Sequence, residues 1–308
     1  MDFAKPADPS AVDWSLPADS ELTDALSARW AAERSSVFVG STAWGQRDFV
    51  GPVYPPGTKP SDFLAAYARQ FNCVELNATF YRMPDFSQVR RWAAAVPADF
   101  RFCPKVTKSI SQAGDLAATN SRVLDFAKAV QHFAPALGPA FVQLPQNFTV
   151  ARVDVLRELL DRWPPTLRLA VELRHESWFA TEQGLDLFAE LGARGFGAVI
   201  TDVGGRRDAA HMHVTADYAF VRWVGTHDSS DGDRLSAWAE RVSKWCARGL
   251  REVYFMVHQP EEMPGARSAS EFVALLRSGP AAERLSVRGP QLVAPGGATG
   301  PAAPTLFG

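Results

Sequence analysis

Apolar and polar residues alternate through Val74-Glu75-Leu76-Asn77-Ala78-Thr79, which places Val74, Leu76 and Ala78 on one face of a strand and Glu75, Asn77 and Thr79 on the other. The same arrangement returns farther along, with Leu169, Val171 and Leu173 against Glu172 and Arg174. Eight strand-like runs are found, over residues 37–41, 73–80, 100–106, 140–145, 168–174, 197–202, 218–224 and 252–258. Helical periodicity fills most of the gaps, most clearly at 61–70, 86–95, 117–133, 153–162, 182–194 and 234–247. Strand and helix in alternation eight times over predict an α/β fold of the (β/α)8, TIM-barrel-like kind. The gap after Asp202 is the weakest, because Gly204 to His213 barely supports a helix. A doubly wound open sheet is the alternative, but no Gly-x-Gly-x-x-Gly turn follows the first strand.

Three segments follow from the pattern: an N-terminal extension over 1–36 with one amphipathic helix at 19–33, a barrel over 37–278, and a Pro-, Gly- and Ala-rich tail over 279–308 that reads as mostly disordered. In a parallel barrel the polar strand faces converge on one mouth, the face where barrel enzymes carry their chemistry. Nearly every strand ends in a polar residue: Glu75 and Asn77, Lys105, Gln143, Glu172 and Arg174 with His175 directly after, Asp202, Arg222, and His258. Each alone is equally at home as a structural group meeting solvent or satisfying a buried charge. Their recurrence over several strands points to a ligand site. Trp44, Tyr81, Arg82 and Trp178 follow strands closely and are read as pocket-shaping groups, whereas Trp92, Trp163, Trp238 and Trp245 fall in helical patterns.

Composition narrows the classes. The formal net charge of −2 provides no global basic field for nucleic acid. Three cysteines, Cys73, Cys103 and Cys246, are too few and scattered for a disulfide framework or a zinc site. No signal core or membrane-spanning run occurs, so the expectation is a cytoplasmic protein with no membrane partner.

Several stretches resemble a known family, the YecE-like proteins with domain of unknown function seventy-two. They are Val39-Gly40-Ser41-Thr42-Ala43-Trp44, Tyr54-Pro55, Val74 through Pro84, Phe102-Cys103-Pro104-Lys105, Val142-Gln143-Leu144-Pro145, Ala170 through Trp178, Asp202 and Val221-Arg222. The resemblance covers about residues 37–278 and implies a TIM-barrel-like fold without an assigned activity. The chain departs from that pattern at three places. Val224 stands where the family has a His, Met256-Val257-His258-Gln259 replaces a Phe-Asn-Asn ending, and Lys108-Ser109-Ile110-Ser111 replaces a Thr-His loop.

The reading that follows is an enzyme, a hydrolase, lyase or isomerase, acting on a small anionic or sugar-like substrate. Glu75 and Glu172 would serve as an acid–base pair, with Lys105 and Asp202 beside them. Lys105, Arg174 and Arg222 would hold an anion, and Trp44, Asn77, Tyr81, Arg82, Gln143, His175, Trp178 and His258 would complete the pocket. No cofactor is expected; a divalent metal among Glu75, Glu172, His175, Asp202 and His258 is the variant reading, and the nearby cations weigh against it. The alternative is a non-catalytic module linked to nucleic acid metabolism. The chain ends Ala303-Pro304-Thr305-Leu306-Phe307-Gly308, which looks like a peptide for the DNA polymerase sliding clamp but lacks its leading Gln; an arbitrary apolar end is the favoured reading.

Overall fold

The structure, a computed structural model, describes residue 6 and residues 8–293. Nine strands are present among the described residues: β1 Ser35–Ser41, β2 Cys73–Leu76, β3 Arg101–Pro104, β4 Ala140–Gln143, β5 Leu169–Glu172, β6 Gly197–Asp202, β7 Tyr218–Val224, β8 Glu252–His258 and β9 Leu285–Arg288. The helices are α1 Glu21–Ser27, α2 Phe63–Gln70, α3 Ala78–Tyr81, α4 Phe86–Ala94, α5 Lys108–Ser111, α6 Asn120–Gln131, α7 Val153–Asp161, α8 Ser177–Ala180, α9 Glu182–Arg194, α10 Ser230–Ala247 and α11 Glu262–Ser278.

The strands are parallel and neighbour one another in the order β3-β2-β1-β8-β7-β6-β5-β4. Bridges from Phe102 to Leu137 and from Lys105 to Phe141 join the two ends, so the sheet closes as a barrel. The TIM-barrel-like expectation therefore holds. Alternate residues face inward. Phe38, Cys73, Cys103, Phe141, Ala170, Val199, Phe220, Tyr254 and Met256 pack together as the apolar middle of the interior. Below them Arg168 meets Glu252 at 2.6 Å and the Tyr254 hydroxyl at 2.9 Å, a charged plug at the base. The outward residues, such as Val37, Val39, Val74, Val171, Val221 and Phe255, join the larger core beneath the helices.

Three expectations change. First, the opening alternation stops at Leu76. Thr79 turns back and donates its hydroxyl to both the Leu76 and Lys105 carbonyl oxygens, at 2.8 and 2.7 Å, which folds Ala78–Tyr81 into a helical turn. Ala78 is consequently exposed and does not face the helices. Second, the predicted helix at 19–33 is shorter, Glu21–Ser27, and does more than cap the body. The crossover from β6 to β7 holds only a 3-10 turn at Arg207–Ala209, and the extension occupies the space where a helix would lie. The buried Thr23 hydroxyl donates to the Met212 carbonyl at 2.7 Å and accepts from the Val214 amide at 2.8 Å. Asp19 takes hydrogen bonds from Arg241 and Trp245 on α10 at 2.9 and 3.0 Å. Third, the segment from Gly279, read as a disordered tail, contains β9. It pairs with the lower half of β1 over Ser35–Phe38, while the upper residues Gly40 and Ser41 pair with β2.

Candidate functional site: the barrel mouth

Inward residues at the upper ends of six strands form one connected polar layer. Arg222 on β7 is its centre. Its Nε and Nη2 donate to the two oxygens of Glu75 on β2, both at 2.9 Å, and its Nη1 donates to both oxygens of Glu172 on β5, at 3.0 and 2.8 Å. One guanidinium thus binds two carboxylates that are completely buried. The Glu75 carboxylate also accepts from Asn77 at 3.1 Å and meets His258 Nε2 on β8 at 2.9 Å. On the other side, Gln143 on β4 donates its amide nitrogen to Glu172 at 2.8 Å and accepts from Lys105 Nζ at 3.0 Å. Lys105 and Arg222 stand 5.7 and 5.6 Å above the same Phe141 ring, and the Lys105 ammonium lies 4.6 Å over Phe80.

The electrostatics divide these groups. Burial alone would raise the Glu75 carboxyl, but the charges of Arg222 and then His258 outweigh it and hold Glu75 well below the ordinary carboxylate range. Glu75 is therefore an acceptor, and the His258 nitrogen facing it carries the hydrogen. Burial followed by repulsion from Arg222 lowers Lys105 below the usual lysine value, with Glu75 and Glu172 partly opposing the change. Arg174 adds a third cation, its Nε 3.8 Å from Glu172.

Other predicted residues lie elsewhere. Asp202 has the wrong strand parity for the mouth. Val199 faces inward, so Asp202 points outward, where it is held by Arg207, by Arg234 at 3.1 Å and by the Trp238 indole at 2.7 Å. Trp178 is wholly buried, bonded to the Phe148 carbonyl at 2.7 Å and stacked on its ring. Trp44 packs edge-on against Trp92 and Phe102 beneath the helices. His175 closes its own turn, its Nδ1 meeting the Ser177 hydroxyl at 2.9 Å. Tyr81 at the end of α3 and Arg82 directly after it are exposed, and Tyr81 is 81% accessible. Of the five residues weighed as metal ligands, Asp202 and His175 stand apart from Glu75, Glu172 and His258, and no metal-holding group of three His, Cys, Asp or Glu occurs among the described residues. The clamp-like ending at 303–308 lies outside the described residues.

The sequence reading passed over Thr201, Phe80 and Phe141. Thr201 is inward, in register with Arg222, 1% exposed, and its hydroxyl has no hydrogen-bond partner among the described residues. Its position two residues after Val199 on the same strand was the available signal. Trp14 of the extension was missed as well; its ring lies 4.1 Å from the Arg234 guanidinium, covering the Asp202 cluster. A surface cleft lined by Pro55, Thr58, Asp62 and Arg69 belongs to the approach to α2 and to α2 itself, and includes none of the residues of the polar layer.

The sequence pattern of the family described as "Protein of unknown function DUF72" matches residues 38–291. The chain belongs to the DUF72 family. The match runs past Ser278 to include β9, in agreement with the pairing of that strand. The chain is similar to the UPF0759 protein YecE of Escherichia coli K12, 31% identical over 218 residues, which cover 64% of this chain and 79% of YecE. It is similar to the UPF0759 protein YunF of Bacillus subtilis, 27% identical over 47% of this chain and 52% of YunF. Among solved structures, a DUF72 protein of Enterococcus faecalis aligns with a TM-score of 0.64 at 20% identity, covering 79% of this chain and 96% of that one. One from Thermotoga maritima aligns at 0.61 and 24% identity, covering 79% and 100%. These likenesses carry the DUF72 fold. No helix among the described residues is long and apolar enough to cross a membrane.

Proposed function

We propose that the mouth of this DUF72 barrel is the active site of an enzyme that moves a proton on a small anionic or sugar-like substrate. The observation that carries the reading is the shared clamp of Arg222 on Glu75 and Glu172. It uses both carboxylates of the layer on one cation, while Lys105 and Arg174 bring two further positive charges. The layer therefore has more cation than carboxylate and suits an anionic group.

The roles shift from the pairing of two glutamates. Arg222 holds Glu75 ionised, so Glu75 orients His258, and His258 Nδ1 is the group that exchanges a proton with substrate. Arg174 and Lys105 attract the anion, and Phe80 and Phe141 furnish its apolar wall and floor.

Calorimetric titration with inorganic phosphate, simple carboxylates and sugar phosphates tests the binding, alongside deuterium exchange at carbon followed by NMR. Arg174→Met should weaken binding by about tenfold or more, the loss of a charge-assisted hydrogen bond. His258→Asn should retain binding and lose exchange. Failure of the wild type to bind any of these anions, or equal affinity in Arg174→Met, would overturn the reading.

A further inference from the structure

We propose that Lys105 is a nucleophile toward carbonyl compounds, so that the substrate class is a small anionic aldehyde or ketone held as a Schiff base. The inference rests on the active-site reading above and names its substrate.

The environment of the amine is the first argument. Lys105 is 8% exposed, and its only hydrogen bond from Nζ among the described residues is to a neutral amide oxygen of Gln143. No carboxylate lies within ion-pairing distance of it among the described residues, because Arg222 engages both Glu75 and Glu172. Its ammonium faces the Phe80 ring and shares the Phe141 ring with a guanidinium. A buried amine next to another cation, with no counter-charge of its own, is the setting that activates lysines toward carbonyl carbon. Burial and Arg222 act in the same direction on its proton affinity.

The second argument is the Thr201 hydroxyl, which has no partner among the described residues. It is buried on the inward face of β6, in register with Arg222. A buried hydroxyl without a partner is costly, and a polar group of a bound molecule would supply one. Arg174 offers a charge for the substrate's anionic end, and His258 a means of moving the proton.

The step balances without an oxidant. The lone pair of neutral Nζ attacks the carbonyl carbon, and the carbonyl π electrons move to oxygen, which takes a proton to give a carbinolamine. Nitrogen gives up a proton, the hydroxyl is protonated and leaves as water, and the C=N iminium forms. The iminium then withdraws electrons from the adjacent carbon, where a proton can be removed.

Reductive trapping tests this. Wild-type protein is incubated with pyruvate, glyoxylate or glyceraldehyde 3-phosphate, treated with sodium borohydride, and mapped by peptide mass spectrometry. The chain has six lysines, of which Lys59, Lys108, Lys128 and Lys244 are exposed and report non-specific labelling within the same sample. The expected result is an adduct with the mass of the carbonyl compound less one oxygen atom, concentrated on the peptide carrying Lys105 and lost in Lys105→Arg. Labelling confined to the exposed lysines overturns the proposal without requiring any variant to fold. If the wild type binds these anions by calorimetry yet traps none on Lys105, the anion site stands and the Schiff base falls; if it binds none, both fall.

Discussion

Lys105 donates to Gln143 Oε1 at 3.0 Å, so the ammonium faces the amide's dipole in place of a full negative charge. The other end of that amide is taken by Glu172, which fixes its orientation. Replacing Gln143 with Glu would put a carboxylate beside Lys105 and a like charge beside Glu172. The Lys105 amine should then become harder to deprotonate. Competitive acetylation with trace acetic anhydride across a pH series, read peptide by peptide, should place its titration at higher pH than in the wild type.

Removing Arg222 should be among the most damaging single changes in the mouth. Arg222→Met leaves two buried carboxylates without their cation, and the expected loss is about 3–5 kcal/mol in denaturant unfolding. Adding Glu75→Gln and Glu172→Gln to the same chain should recover part of that loss. The recovery distinguishes stranded charge from lost packing.

Stability should also slope with pH on the acid side of neutrality. In the β6–β7 crossover His211 and His213 stack on each other, and His213 stacks on Phe188 of α9. Burial lowers both, His211 well below its ordinary value and His213 from 6.5 to about 4. Below pH 6.5 the unfolded chain takes up protons that the folded chain resists. The stability is therefore fully present above 6.5 and is lost as pH falls toward about 4. For His213 the change is on the order of 3 kcal/mol. Urea unfolding at stepped pH should show the slope, and His213→Phe should flatten it. Glu75 contributes lower down: its depressed carboxyl gives stability above the ordinary carboxylate range that is lost as pH falls through its folded value.

Thr23→Val tests whether the extension stands in for a helix. The change keeps the side chain's shape and leaves the Met212 carbonyl and the Val214 amide short of a buried partner. A cost of about 1–3 kcal/mol is expected in thermal or urea unfolding. Thr23→Ser, which keeps the hydroxyl, should cost less.

Much of the barrel was readable from periodicity because strands buried on both faces still differ in what each face touches. Glu75, Glu172 and Arg222 break apolar runs, and their parity places them correctly inside. Asp202 went astray because Gly197 to Asp202 is apolar on both sides until Thr201, so nothing in the run marks which face is inward. Trp178 follows a strand end, yet the α8 turn tucks it under the helices, a tertiary choice that loop position does not reveal. β9 was hidden by the Pro- and Gly-rich composition around it, while its own Leu285 and Val287 are the two apolar positions of a four-residue strand.

That strand has a consequence for how the molecule is made. Ser35 to Phe38 pair with Leu285 to Arg288, joining the first barrel strand to residues made after all the other strands of the sheet. The base of the cylinder must wait for them, and until they emerge from the ribosome the lower edge of β1 keeps unpaired backbone groups. Contacts so distant in sequence delay closure and lengthen the life of an open, sticky intermediate. A fragment ending at Ser278 would carry every mouth residue and should still be the form that aggregates during expression.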